Sequence, residues 1–222
     1  MEQSFWLERW QSNQLGWHRE DVNPLLRAHW PRLGLAPHSR VFVPLCGKTL
    51  DMGYLASEGH EVLGCELSGI AARAFFAEAG IERRHRQEGH FARHEGGGVT
   101  ILEGDLFNLD NALLAGVAGV FDRGALVALP PDTRARYVAH MKRVLPRSEQ
   151  TLLISLEYDQ SRIGGPPFSV VEAEVRDLYD ETHEVELLCS ENTEEIPPRF
   201  TEAGLGGASS PVRQTVWAMR PR

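Results

Sequence analysis

The sequence predicts an α/β fold: a mostly parallel, doubly wound sheet of seven strands with helices on both faces and an antiparallel hairpin at its C-terminal end. Three observations predict it. Residues 41–80 alternate strand, loop, helix, strand and helix with short connections, the order that winds a parallel sheet. The apolar runs that read as strands are short, rich in β formers and bounded by turn residues. No repeat, low-complexity stretch or linker interrupts the 222 residues, so 1–222 reads as a single domain.

Residues 2–12 read as a helix on which Trp6 and Trp10, four apart, share a face. A loop follows over 13–20. Asn23-Pro24 opens a second helix, with Pro24 at its first position, that runs to about Trp30 and stops before Pro31. Together, residues 1–33 form a helical lid. Val41–Leu45 is a buried strand, Cys46–Thr49 a tight connection, and 50–58 a helix with Gly59 at its C-terminal cap. Glu61–Leu67 is the next strand, and Ser68 would cap a helix that ends at Ala79 before Gly80. The polar, His/Gly-rich stretch 83–98 reads as a loop or irregular hairpin. Strands follow at 99–102, 119–123 and 151–156, with a helix over 131–144 carrying Asp132 in its first turn. A loop at 164–168 and a helix over about 170–178 lead to the last two strands, 185–188 and 214–219. An antiparallel pair on one edge makes the sheet mixed.

Hydrophobic residues make up 42% of the chain, enough for a sizeable core, and the net charge is −8. The basic residues are scattered and acid dominates the C-terminal third, which argues against a nucleic-acid partner. No run approaches the ~18 apolar residues of a membrane span, and the N-terminus lacks a signal-peptide pattern, so no membrane partner is expected. Three cysteines, Cys46, Cys65 and Cys189, make no disulfide framework and point to the cytoplasm.

In open α/β sheets the ligand lies beyond the carboxyl ends of the strands where their order reverses. The loop Leu45-Cys46-Gly47-Lys48 is the first to reach that rim. Gly47 lets the backbone come close to a ligand. Glu66 ends the second strand about 20 residues later, where Rossmann-like folds place an acid that accepts from ribose hydroxyls. A surface Glu66 in a salt bridge is the bland alternative. With one glycine the loop is no G-x-G-x-x-G fingerprint, which favours a nucleoside without pyrophosphate over NAD. Arg123, after Asp122, could fork onto a carboxylate, or the two could pair to hold a loop. Gly104-Asp105 could face adenine or form a simple turn.

The runs Val43-Pro44-Leu45-Cys46-Gly47-Lys48, Gly59 to Ser68, and Phe121-Asp122-Arg123-Gly124-Ala125-Leu126-Val127-Ala128-Leu129 closely resemble the thiopurine S-methyltransferase family. So do Trp6-x-x-x-Trp10, Asn23-Pro24 and Gly165-Pro166-Pro167-Phe168. The resemblance covers nearly the whole chain; the stretches 85–98 and 204–210 match weakly. It implies a class I methyltransferase domain and S-adenosyl-L-methionine bound at Trp10, Leu45, Glu66 and Arg123. Trp10 would wall the sulfonium, Leu45 would lie beneath the cofactor, Glu66 would hold the ribose, and Arg123 would sit by the reaction cleft. Trp17, where relatives carry Phe, would contact substrate from a lid loop, and this departure bears on the acceptor pocket. The implied acceptor is an aromatic or heterocyclic thiol, or a selenium or tellurium compound, methylated in detoxification. No amphipathic seam is left over, so the chain reads as a monomer.

Methyl transfer from a sulfonium to a thiolate is an in-line displacement that proximity and water exclusion favour. An acidic thiol is already partly ionised, so no dedicated base is assigned and Arg123 is expected to position the substrate. An NAD-dependent oxidoreductase and a non-catalytic nucleoside-binding domain stand as alternatives. His90 and His94, four apart, lack the Glu of H-E-x-x-H and a nearby thiolate, so no metal is expected. Cys46 and Cys65 end neighbouring strands and could approach each other; Cys46 is expected to pack beneath the cofactor.

Overall fold

The computed structural model describes residues 3–193 and 196–222. Met1, Glu2, Glu194 and Glu195 lie outside the described residues, and with them the predicted helix start at Glu2. Helix α1 spans Gln3–Gln11. Helix α2 spans Pro24–His29, where the Asn23 side chain accepts from the Leu25 and Leu26 N–H groups. The α-helix stops before Pro31 as expected, and a 3₁₀ turn over Trp30–Leu33, closed by Gly34 at φ 63°, follows it.

The central block follows the predicted alternation. Strand β1 (Arg40–Pro44), helix α3 (Leu50–Ser57), strand β2 (Glu61–Glu66) and helix α4 (Gly69–Glu78) come in order. Gly59 and Gly80, at φ 90° and 64°, end the two helices as expected. Ser68 stands at the N-cap of α4 as expected, but its side chain makes no cap bond. The carboxylate of Glu66 accepts the Ser68 N–H instead, at 2.7 Å.

The stretch read as a loop or irregular hairpin holds two regular strands, β3 (Arg84–Glu88) and β4 (Phe91–Gly96). Strand β5 (Val99–Glu103), strand β6 (Val117–Asp122), helix α5 (Ala125–Ala128), helix α6 (Pro131–Val144) and strand β7 (Gln150–Glu157) follow. Helix α7 (Glu172–Tyr179), strand β8 (His183–Asn192), helix α8 (Pro198–Glu202) and strand β9 (Arg213–Pro221) complete the chain.

Among the described residues the sheet therefore has nine strands rather than seven, in the order β3-β4-β5-β2-β1-β6-β7-β9-β8. The five from β5 to β7 are parallel. The β3–β4 hairpin extends one edge and the β9–β8 pair the other, both antiparallel. From β1 the chain builds outward through β2 and β5, then returns to lay β6 and β7 on the opposite side. The reversal lies between β1 and β6, so the loops after these strands border the crevice where such sheets bind ligands.

Alternation along β1 sends Phe42 to one face of the sheet and Val41 and Val43 to the other. Phe42 joins Leu63, Leu102, Leu126 and Trp217, whereas Val41 and Val43 join Met52, Leu55, Phe75 and Leu152. The two buried cysteines divide the same way. Cys65 packs with the first cluster and Cys46 with the second, so the two thiols, which could have approached each other, are free and lie in different layers of the core. Among the described residues no helix is long and apolar enough to cross a membrane.

Candidate active site

The loop after β1 turns sharply. Leu45 takes φ 44°, a left-handed conformation costly for a residue with a β-carbon. Gly47 follows at φ 55°, and a β-carbon placed there would lie 3.3 Å from the Trp10 ring. Helix α1 is thus laid directly across the loop. Thr49 starts α3, its hydroxyl accepting from the Asp51 N–H and donating to the Asp51 carboxylate. Asp51 also accepts the Asn23 N–H at 2.8 Å, which ties the lid helix α2 to the same corner.

Glu66 is buried at the end of β2 rather than exposed in a surface pair. One carboxylate oxygen accepts the Gly47 N–H at 2.8 Å and the other the Ser68 N–H at 2.7 Å. Burial pushes its pKa up, these backbone donors pull it back, and nearby Glu103 adds to the rise. An ionised carboxylate has about four lone-pair directions. Two are spent on the backbone, which leaves acceptor capacity for a further pair of donors.

Asp122 and Arg123 do not form the pair considered as an alternative. Asp122 turns back, accepting the Ala125 and Leu126 N–H groups at 3.0 and 3.2 Å and the Tyr137 hydroxyl at 2.7 Å. Arg123 points to the lid, its guanidinium donating to the Trp17 carbonyl at 3.1 Å. Burial pushes the pKa of Arg123 down; Asp51 opposes this and Arg19 adds to it. A guanidinium nevertheless stays charged at neutral pH. The Trp17 ring meets Trp6 and Trp10 edge to face, with centroids 5.3 and 6.1 Å apart. The helical spacing of Trp6 and Trp10 thus serves to seat a third tryptophan.

Trp10, Leu45, Glu66, Arg123 and Trp17 all line one cavity of about 830 Å³. Asp105 lines it too, but its carboxylate is engaged in a turn and a lid contact, accepting from the Phe107 N–H at 2.9 Å and the Gln3 amide at 2.7 Å. Two cavity residues had no sequence signal. Arg199 of α8 comes from an acidic stretch that carried no motif; its guanidinium donates to the Pro166 carbonyl and burial lowers its pKa. Tyr137 lies inside α6, where the sequence marked only Asp132 in the first turn.

Cys46 sits beneath the loop, against Gly64, where a β-carbon would come within 2.6 Å of its sulfur. Burial, with Glu66 nearby, pushes its thiol well above the ordinary range, so it packs as an inert thiol. His94 is engaged by Glu103 at 2.7 Å and stacks on His85, with centroids 6.3 Å apart. No group of three or more metal-ready side chains occurs among the described residues.

These features fit S-adenosyl-L-methionine. Glu66 keeps acceptor capacity for a ribose diol. Glycine at position 47 leaves a cradle that a β-carbon would crowd, and Trp10 offers an aromatic face of the kind that attracts a sulfonium cation.

Comparison with known proteins agrees. The family model described as thiopurine S-methyltransferase matches residues 1–216. The chain is 48% identical over 210 residues to the thiopurine S-methyltransferase of Pseudomonas entomophila, covering 92% of this chain and 94% of the relative. It is 45% identical over 214 residues to that of Pseudomonas putida, covering 96% and 99%. Among solved structures, it resembles Burkholderia thailandensis 1,6-didemethyltoxoflavin-N1-methyltransferase with a TM-score of 0.65 at 18% identity, over 98% of this chain and 86% of the other. A SAM-dependent methyltransferase from Methanosarcina mazei matches with a TM-score of 0.59 at 14% identity, over 90% and 98%. At such identities the structural likeness shows the class I methyltransferase fold alone.

Proposed function

The chain belongs to the thiopurine S-methyltransferase family and is an S-adenosyl-L-methionine-dependent methyltransferase; from that premise we propose that its acceptor is an aromatic or heterocyclic thiol. Selenium and tellurium compounds are further acceptors in this reading, and detoxification is the role. One observation carries it. One cavity is lined by Trp10, Leu45 and Glu66, by cations that include Arg123 and Arg199, and by apolar Val127, Leu156 and Val212.

In this reading Glu66 accepts from the ribose hydroxyls, Trp10 covers the cofactor and Leu45 supports it. When bound, S-adenosyl-L-methionine supplies an electrophilic methyl group held on a sulfonium. Arg123 and Arg199 favour the ionised form of an acidic thiol, because a nearby cation lowers its pKa. The apolar lining and the tryptophan lid exclude water, which strengthens those electrostatic interactions and leaves the nucleophile less solvated. Trp17 shapes the acceptor end. No side chain is assigned as a base, since positioning an already ionised sulfur suffices.

The reading extends to residues 1–222 acting as one domain, monomeric and cytoplasmic. Three free cysteines fit a reducing compartment. The large hydrophobic side chains that are exposed, Ile70, Val171 and Leu187, come from separate elements of the chain.

Transfer of a labelled methyl group to 6-mercaptopurine, against its oxygen analogue hypoxanthine, tests the acceptor class. Methylation of the thiol alone is expected, and selenite should compete with it. Equal transfer to both purines would overturn the thiol reading. Arg123→Ala should lower kcat/KM for the thiol about 10–100-fold, as loss of a charged hydrogen-bonding partner does. Unchanged kinetics would remove Arg123 from the acceptor site.

A further inference from the structure

The segment that carries Arg123 cannot hold its own shape. Helix α5 has four residues, and a helix this short has no independent stability. Yet Val127 and Ala128 of α5, and Leu129 after it, line the cavity. Core burial of Ala125 and Leu126 seats the helix, and two side chains three residues apart on α6 tie down its backbone groups. Tyr137 donates its hydroxyl to Asp122, whose other oxygen accepts the Ala125 and Leu126 N–H groups, so the amide end of α5 is held. Arg134, buried and only 1% exposed, donates from Nε to the Leu126 carbonyl and from a terminal nitrogen to the Leu129 carbonyl, each at 3.1 Å. Its remaining nitrogen pairs with Glu174 of α7.

Arg123 and Gly124 are the two residues between the Asp122 anchor and the start of α5. Their backbone is therefore fixed on both sides. At the far end the Val127 carbonyl accepts the Phe168 N–H at 2.6 Å, so the proline loop is aligned through the same short helix.

We propose that Tyr137 and Arg134 are positioning residues for the methyl acceptor: one turn of α6 clamps α5 at both ends and thereby aims Arg123 and the apolar wall of Val127 to Leu129 into the cavity. The inference rests on the reading that this end of the cavity receives the acceptor. Burial raises the pKa of Asp122 and raises that of Tyr137 well above its ordinary value, so the phenol stays a donor throughout the neutral range.

A double-mutant cycle tests it, with acceptor kinetics and S-adenosylhomocysteine affinity measured on wild type, Tyr137→Phe, Arg123→Ala and the double variant. Tyr137→Phe keeps the buried ring and removes one hydrogen bond to a carboxylate. It should lower kcat/KM for 6-mercaptopurine about tenfold while S-adenosylhomocysteine affinity stays within about twofold. In the Arg123→Ala background the effect should shrink to less than about threefold, because the part that acts through Arg123 is gone and only the apolar wall remains to be aimed. A purely structural role gives the same fold loss in both backgrounds, or equal losses for acceptor and S-adenosylhomocysteine, and either would overturn the proposal. If Arg123→Ala itself changes nothing, the acceptor-site reading fails instead, and that failure is separate. Should Tyr137→Phe not fold, Arg134→Lys carries the same test from the carbonyl end: it keeps the charge but cannot reach both carbonyls and Glu174 together.

Discussion

Replacing Glu66 by Gln separates two jobs that the side chain does at once. Its carboxylate holds the Gly47 and Ser68 N–H groups at 2.8 and 2.7 Å, so it braces the loop after β1 as well as facing the cavity. Gln keeps the shape and one acceptor oxygen. One N–H retains a neutral bond of about 0.5–1.5 kcal/mol in place of a charge-assisted one of about 1.5–3 kcal/mol, and the other faces an amide NH₂. The gross loss is about 2–4 kcal/mol, offset in part because a charge no longer has to be buried. The net cost should be about 1–2 kcal/mol, a fall in Tm of roughly 2–8 °C for a chain of this size. The cofactor loses more, since a ribose hydroxyl now meets a donor. Calorimetry should show S-adenosylhomocysteine binding about 10–100-fold more weakly. The pH dependence carries a sign as well. Burial raises the folded-state carboxyl above 4.5, so its stabilising contribution is full below that value and is lost as pH rises through the raised one. Wild type should therefore gain on the Gln variant as pH falls. Affinity within about twofold of wild type, with an unchanged Tm, would refute both the brace and the ribose role.

Two further predictions concern the scaffold. Gly64→Ala would place a β-carbon 2.6 Å from the Cys46 sulfur and 3.0 Å from that of Met52, so it should cost about 1–3 kcal/mol by chemical denaturation. Combined with Cys46→Ala it should be less destabilising than the sum of the two, and strict additivity would show that the contact does not set the cost. His94 is held neutral by burial, its pKa lowered from 6.5 against the opposing pull of Glu103. Its contribution is present above that value and lost as pH falls below it, so the Tm advantage of wild type over His94→Gln should shrink between pH 7.5 and 5.5. An advantage independent of pH would mean that His94 does not titrate there.

The sequence was most legible where the physics is local. The apolar strands of the parallel block, the glycines that end α3 and α4, and the Asn23 cap announce themselves because burial, left-handed backbone and orphan N–H groups each demand particular residue types. The β3–β4 hairpin was hidden for the converse reason. Arg84, His85, Arg86 and Gln87 are all exposed on the outermost strand, so no apolar alternation marks them. What holds the hairpin is its pairing with β5 and cross-strand ion pairs such as Arg86–Glu95 and Arg93–Glu88.

In the site, Leu45, Glu66 and Arg123 were legible because strand ends on an α/β sheet have fixed places, whereas the resemblance supplied Trp10 and Trp17. Arg199 was not legible, since α8 reaches the cavity only after the chain has crossed β8. The roles of Tyr137 and Arg134 were hidden too, because their partners are a carboxylate and backbone carbonyls that no spacing rule joins. Ser68 shows the limit of pattern reading. The residue type and position suit a cap and Ser68 does take the N-cap place, but its hydroxyl makes no cap bond, while its N–H goes to the Glu66 carboxylate.

In the proposed reading one cavity holds S-adenosyl-L-methionine on Glu66 and Trp10 and presents Arg123 to the acceptor. A crystal structure of the S-adenosylhomocysteine complex tests it most directly. The ribose hydroxyls are expected within hydrogen-bond distance of the Glu66 carboxylate, the Trp10 ring over the ligand, and the sulfur facing the space beside Arg123. A ligand bound elsewhere, or bound with Glu66 out of reach of the ribose, would contradict it.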